Sequence, residues 1–400
     1  MGKPLYPRKK AVLSDRRLDI SFSGRTVFGQ GAASRVADLL KELGAARSFI
    51  VTDPGVLASG VADVIRQPLE VAGVEVATFD AVKANPTISD VQAGGAALRD
   101  FGAHDTIVVA VGGGSAMDAA KAIALHAVNG GSVDELDFRR EPEHPGLPLI
   151  AVPTTAGTGS ETNSYGVITN ILTERKFYIG DSSVKPKVSV LDPELTLGLP
   201  PAATAATGLD ALTHALESLM SRNANPYAEG LALQVIRMVA AWLPAAVQDG
   251  DDLEARSQML FAAHLAGLAF SSGTGLGLCH AIAHPLGARL GMVHGAALAA
   301  VLPLVMMFNL PTSERKLELA GLAFGVAAPA GSPEQNARAA IAATERFVSN
   351  VMDANSPTSL ELPKEMLPTI VEDALEDIVM ANTPRLPSAR EVEDILISAS

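Results

Sequence analysis

Hydrophobic positions along the chain follow two patterns that meet near residue 195. In the first half, short β-rich runs alternate with stretches of helical period. ARSFIVTD (46–53), VEVATFD (74–80), DTIVVAVGGG (105–114), LPLIAVPTT (147–155) and VSVLDP (188–193) read as strands. Before and between them, AASRVADLLKELG (32–44) and SAMDAAKAIALHAV (115–128) repeat apolar residues three and four apart, as one helix face requires. Apolar strands separated by helices predict a parallel sheet covered on both faces.

Beyond residue 195 the strand-like runs stop. ATAATGLDALTHALESLM, AEGLALQVIRMVAAWL, RSQMLFAAHLAGLAF, ARAAIAATERFVSNVM and EMLPTIVEDALEDIVM all have helical period. The expected organisation is an α/β domain over 1–195 and an all-helical domain over 196–400. The boundary falls in DPELTLGLPP (192–201). A chain of 400 residues is long for one core, which agrees with two domains.

Charge narrows the partners. The net charge is −13, and phosphate backbones or anionic membranes are bound through clustered Lys and Arg, so neither is expected. No uninterrupted apolar run of about 18 residues appears, so no transmembrane helix is expected. The basic start MGKPLYPRKK is followed by no apolar run, so no secretory signal is expected. The single cysteine, Cys279, has no internal disulfide partner, which fits a reducing, cytoplasmic setting.

Two loops carry candidate binding chemistry. In VVAVGGGSAMDAAKAIA an apolar strand ends at Val111. Gly112, Gly113 and Gly114 let the backbone approach a ligand, and a helix N-terminus follows. Ser115 is the expected cap of that helix, with Asp118 as its reciprocal partner. Free amides at such a turn suit a phosphate, although neither a Walker loop nor GxGxxG is present. The loop PTTAGTGSE (153–161) follows the next strand and can face the same crevice with its hydroxyls and amides. Asp53 ends its strand, where an acid can accept from a ribose 2′-hydroxyl; a helix-capping role before Pro54 fits the position equally well.

Asp210 and His214 are four residues apart, as are His280 and His284, and His294 follows. Each pair shares a helix face. One carboxylate and four imidazoles in two apolar segments need partners, and a divalent metal supplies them. Mixed nitrogen and oxygen ligation suits Fe²⁺, Zn²⁺ or Mn²⁺. Spacing leaves open which of the five is not a ligand.

Together these stretches resemble the iron-dependent (group III) alcohol dehydrogenase family. The matching segments are VTD (51–53), NPT (85–87), VGGGSAMDAAK (111–121), PTTAGTGSE (153–161), ATGLDALTHALE (206–217) and HAIAHPLG with His294–Gly295. The resemblance runs from FGQGA (28–32) to ANTPR (381–385) and implies a doubly wound, Rossmann-like nucleotide domain, a helical domain, and a metal in the cleft between them. It implies hydride transfer between a small alcohol and NAD. It assigns Asp210, His214, His280 and His294 to the metal, expected as Fe²⁺ with Zn²⁺ as alternative, and His284 to proton relay. It places Asn85, Gly113, Gly114, Ser115, Asp118, Thr154, Thr155, Thr158, Lys176 and Leu195 at the cofactor. It gives Asp53 the choice of NAD over NADP.

Two positions depart from the family pattern. Leu298 stands where HGxxN has Asn, and Ser271–Ser272 follow Ala269–Phe270 where an Asn is common. Both bear on the substrate pocket, whose candidate walls are Phe270 and Leu276. Two relatives in the superfamily are competing expectations: a maleylacetate reductase-like enzyme and a dehydroquinate synthase-like lyase. Both act on anionic substrates, and residues 203–300 offer only Arg222, Arg237, Arg256 and Arg289 as cations. A homodimer or larger homo-oligomer is expected, with the first 20 or so residues as an arm.

Overall fold

The computed structural model describes residue 20 and residues 24–328, 330–352 and 360–400. The expected N-terminal arm lies almost wholly outside them. Six parallel strands form one sheet: β1 (Arg25–Phe28), β2 (Arg47–Val51), β3 (Glu75–Phe79), β4 (Thr106–Gly112), β5 (Leu149–Pro153) and β8 (Val188–Leu191). Their order is β1-β8-β5-β4-β2-β3. The β4 sequence TIVVAVG is buried at every position, as a strand flanked on both sides and covered on both faces must be. Helices α1 (Val36–Glu42), α2 (Pro54–Ala58), α3 (Val61–Val71), α4 (Ile88–Phe101) and α5 (Gly114–Asn129) connect the strands.

From β2 the chain passes outward to β3, then returns to place β4 on the other side of β2. The order therefore reverses between β2 and β4, and a crevice opens beyond their carboxyl ends. Asp53 follows β2 and Gly113 follows β4, so this topology brings two of the sequence candidates together.

Three strands were not expected from the pattern. The edge strand β1 is four residues long and only partly buried, so it gives no clear alternation. The antiparallel pair β6 (Tyr165–Asn170) and β7 (Arg175–Gly180) stands apart from the main sheet.

Helices α6 (Pro201–Met220), α7 (Pro226–Gln248), α8 (Leu253–Ala269), α9 (Leu278–Leu290), α10 (His294–Ala323), α11 (Pro333–Val351), α12 (Leu367–Glu376) and α13 (Ala389–Ala399) build the second half. Nearly all of α6 is buried from Thr204 onward. Its Leu209, Leu212, Leu216 and Leu219 are sealed from solvent, each contributing about 1.5–3 kcal/mol by apolar burial. The expected helix through EMLPTIVEDALEDIVM breaks after Glu376. There Asp377 starts a 3-10 turn by accepting from the Val379 amide at 3.0 Å.

Contrary to the expectation from apolar runs, helices α7 and α10 are long and apolar enough to cross a bilayer, although neither holds an uninterrupted apolar run of about 18 residues. In α10 the apolar residues Leu298, Val301, Leu302, Val305 and Met306 lie in the helical core.

Candidate active site

The helix after the glycine loop starts two residues earlier than the capping pattern predicts. Gly113, not Ser115, is the N-cap of α5, and no side chain caps it. The first intrahelical bond runs from the Met117 amide to the Gly113 carbonyl at 3.2 Å. The amides of Gly114, Ser115 and Ala116 therefore precede the helical ladder, the condition for anion binding. Gly112 has φ +149°, and a Cβ there would lie 2.6 Å from that of Ala116. A Cβ on Gly114 would lie 2.7 Å from Thr158 Cγ2. The backbone thus packs closely enough to leave no room for side chains along the turn.

Asp118 does not act as a reciprocal cap. Its carboxylate accepts from Ser160 Oγ at 2.6 Å and from the Val167 amide at 3.0 Å, binding the 153–161 loop and β6 to α5. Beside it, the buried Lys121 donates to Ser160 Oγ, Asn163 Oδ1 and the Tyr165 carbonyl at 2.7–2.8 Å. Burial pushes the Lys121 ammonium down to about 8, against the smaller opposing pull of Asp118 and Glu161. Sequence reading passed over Lys121, although it is the one Lys or Arg in the apolar helix α5.

Beyond β2 and β4 lies a cavity of about 730 Å³ lined by Asp53, Gly113, Gly114, Ser115, Thr154, Thr155 and Leu195, among others. Asp53 also caps α2, accepting from the Gly55 and Val56 amides at 2.9 and 3.0 Å through one carboxylate oxygen. A second cavity of about 200 Å³ continues from Gly114 and Ser115 and is lined also by Asn85, Asp118, Thr158 and Lys176. Asn85 holds φ +53°, a conformation uncommon for a residue with a side chain and one that clusters at binding sites. All eleven sequence candidates for the cofactor therefore border two adjoining cavities.

The second cavity ends on Asp210, His214, His280, His284 and His294, with Phe270 and Leu276 as apolar walls. Helix α6 supplies Asp210 and His214, α9 supplies His280 and His284, and His294 is the first residue of α10. One donor atom from each of Asp210, His280 and His294 lies within 4.8 Å of the others. His214 Nε2 lies 3.1 Å from Asp210 Oδ1. Asp210 Oδ1, His280 Nε2 and His294 Nδ1 are buried without hydrogen-bond partners. A carboxylate oxygen and imidazole nitrogens that converge without partners are what a metal would complete.

Electrostatics are consistent with this arrangement. Burial alone would raise the Asp210 carboxyl, but the imidazoles of His214, His280 and His294 outweigh it and hold it far below the carboxylate range. Burial lowers His214 to about 4, offset only partly by Asp210. At His280 burial is overcome by Glu217 and Asp210, which push the imidazole up to about 9.

Glu217 and Asp377 were missed by the sequence reading. Glu217 accepts from His280 Nδ1 at 2.6 Å and from the Gly277 and Cys279 amides at 2.9 and 2.6 Å. It follows Asp210 by seven residues, two turns along the same face of α6, and that spacing could have flagged it. Asp377 accepts from His284 Nδ1 at 2.7 Å; no spacing signal links residues so far apart.

The family departures leave the cavity lining intact. Leu298 is fully buried in the helical core. Ser271 Oγ lies 3.3 Å from Thr162 Oγ1, and Ser272 donates to the Ala269 carbonyl at 2.7 Å. Cys279 is buried and free, as expected of a packing residue. His264 is buried too, between Glu161 Oε1 at 2.9 Å and Thr26 Oγ1 at 3.0 Å.

Comparison with known proteins covers both halves. A model of the iron-containing alcohol dehydrogenases matches residues 23–193. A model of the C-terminal part of the Fe-containing alcohol dehydrogenase family matches residues 204–400. An NAD-dependent methanol dehydrogenase of Bacillus methanolicus is 34% identical over 94% of this chain and 97% of its own. A 1,3-propanediol dehydrogenase of Klebsiella pneumoniae is 37% identical over 97% of this chain and 100% of its own. The crystal structure of a 1,3-propanediol oxidoreductase superposes with a TM-score of 0.91 at 36% identity, covering 96% of this chain and 100% of that one.

Proposed function

The chain belongs to the iron-containing alcohol dehydrogenase family, and within it we propose an NAD-linked dehydrogenase of small primary alcohols that also reduces the corresponding aldehydes. The observation that carries this reading is the convergence of the orphaned Asp210, His280 and His294 atoms at the end of the cavity that begins at Gly114 and Ser115. Asp210, His214, His280 and His294 are the residues that would hold Fe²⁺, or Zn²⁺ in its place. Bound there, the cation supplies Lewis acidity toward the substrate oxygen.

The chain's own residues do the rest. The amides at Gly114 and Ser115 receive the pyrophosphate of NAD in the larger cavity. Asp53 accepts from the ribose hydroxyl and disfavours a 2′-phosphate by charge. Thr154, Thr155 and Thr158 would lie beside the nicotinamide ribose, and Asn85, Lys176 and Leu195 would make further cofactor contacts. Asp118 acts indirectly, by fixing the loop and β6. His284 is placed to accept the hydroxyl proton, and NAD, when bound, would supply the acceptor for the carbinol hydride. Phe270 and Leu276 confine the substrate and keep water out. Two domains, 1–195 and 196–400, meet along this cleft.

Electrostatics count against the superfamily alternatives. Lys176 is the one Lys or Arg lining the second cavity among the described residues. Arg256 is committed to Thr204 Oγ1 and the Gly250 and Leu199 carbonyls, and Arg289 to Asp373 and Glu174. A maleylacetate reductase-like or dehydroquinate synthase-like substrate would bring several negative charges to a wall with a single cation. A homo-oligomer fits the edge at β1, which no other strand pairs among the described residues and where Phe28 is exposed beside Phe261. A cytoplasmic location fits the single unpaired cysteine.

The test is a panel of alcohols and aldehydes with NAD(H) absorbance as readout, on protein reloaded separately with Fe²⁺ and Zn²⁺. Turnover of short primary alcohols is expected. Turnover confined to dicarboxylates or phosphorylated acids would overturn the reading.

A further inference from the structure

We propose that Asp377 is the positioning residue for His284: it fixes which ring nitrogen carries the proton and which presents a lone pair to the substrate. The inference rests on the reading of His284 as proton acceptor given above.

His284 forms part of the wall between two cavities. One holds Asp210, His280 and His294. The other, of about 140 Å³, lies on the far side and is lined in part by Asp137, Phe138, Lys176, Tyr178 and Asp377. The imidazole ring is clamped in place. It stacks on His294 with centroids 5.7 Å apart and planes 9° apart, and Tyr178 meets it edge-on at 6.1 Å. Nδ1 faces Asp377 Oδ2 at 2.7 Å, with both side chains almost fully buried. Nε2, the opposite ring atom, has no protein hydrogen bond among the described residues.

The Asp377 carboxylate is itself held at both ends. Oδ1 accepts from the Val379 amide at 3.0 Å, which starts the turn after α12. That bond aims Oδ2 at Nδ1. An ionised carboxylate offers only acceptors, so Nδ1 must carry the hydrogen and Nε2 is left with a lone pair. A neutral imidazole held as that tautomer is the form that takes a proton from an alcohol. A ring free to exchange tautomers would present an N–H to the substrate part of the time.

Replacing Asp377 with Asn separates this role from packing. The amide has a single oxygen, and the Val379 amide still needs an acceptor. The NH₂ group would then face His284 and drive the ring proton onto Nε2, the wrong side. Asp377→Ala removes the partner altogether and opens the outer cavity, leaving room for a small carboxylate.

The experiment compares kcat, alcohol KM and bound metal in the metal-loaded wild type, Asp377→Asn, Asp377→Ala and His284→Ala. We expect kcat to fall about 10- to 100-fold in both Asp377 variants, with KM and metal content unchanged. Added formate should restore kcat saturably in Asp377→Ala only: in Asp377→Asn the place is filled, and in His284→Ala the ring is gone. Wild-type kcat in Asp377→Asn would overturn the assignment, as would loss of kcat only in step with metal loss, or no formate rescue in a folded Asp377→Ala. Full kcat in His284→Ala would instead overturn the reading of His284 itself, so the two failures are distinguishable.

Discussion

His280 donates from Nδ1 to Glu217 Oε2 at 2.6 Å, and the same carboxylate accepts both amides that open helix α9. One side chain therefore sets the tautomer of His280, a ligand in the proposed metal site, and caps the helix that carries it. With the hydrogen on Nδ1, Nε2 is free to face Asp210, from which it lies 3.4 Å. Removing such a partner typically costs about 10- to 100-fold in metal affinity. Glu217→Ala is expected to lose metal to that extent in a competition titration with a chelator. Stranding two buried amides should also cost about 1–3 kcal/mol for each, read as a lower denaturation midpoint. Unchanged metal affinity would show that the pairing is structural only.

Asp53 is predicted to combine cofactor choice with capping. Asp53→Gly removes the charge facing a 2′-phosphate, so the ratio of kcat/KM for NADP over NAD should rise. The α2 cap is lost as well. Glycine replaces a capping side chain at a cost of only a few tenths of a kcal/mol, so the variant should stay folded and the comparison clean. An unchanged cofactor ratio in folded protein would refute the role.

Lys121 predicts a rise of stability with pH. Its folded value of about 8 lies below the ordinary 10.5. Between these values the unfolded chain binds a proton that the folded chain has released, so stability increases with pH by up to about 1.4 kcal/mol per unit. The window closes near pH 10, where unfolded tyrosines begin to ionise, because burial raises Tyr165 to about 12 and Tyr178 still further. Urea unfolding of the wild type between pH 8 and 10 should show this slope, and Lys121→Met should lack it. Equal slopes would refute the assignment.

The sheet was legible because a buried parallel strand declares itself by composition: TIVVAVG needs no partner to be recognised. Four of the five positions of the proposed metal site were legible because pairs four residues apart mark one helix face, and His294 followed as the next histidine in the chain. What escaped depends on chain crossings. Asp377 meets His284, and Glu217 meets His280, only after α6, α9 and the turn beyond α12 pack together. The β6–β7 pair lacks a two-residue Asn-Gly or Asp-Gly turn; its positive-φ position is Glu174, an unusual residue there. The helix start at Gly113 escaped because a serine two residues on offered a conventional cap, while the ligand-facing turn works without one.

Substrate length should respond to Leu276. The second cavity has only about 200 Å³ for the substrate and the cofactor end together, and Phe270, its other apolar wall, already rests on the His214 ring with centroids 4.8 Å apart. Trimming Phe270 would therefore disturb the metal site, whereas Leu276 can be shortened without touching a proposed ligand. Leu276→Ala removes three carbons from the wall. Each methylene an alcohol can newly bury contributes about 0.8 kcal/mol, close to fourfold in kcat/KM. We expect hexanol to gain on ethanol by roughly 10- to 200-fold, mainly through a lower KM for the longer chain. Equal changes for the two alcohols would place the chain-length limit elsewhere in the cleft.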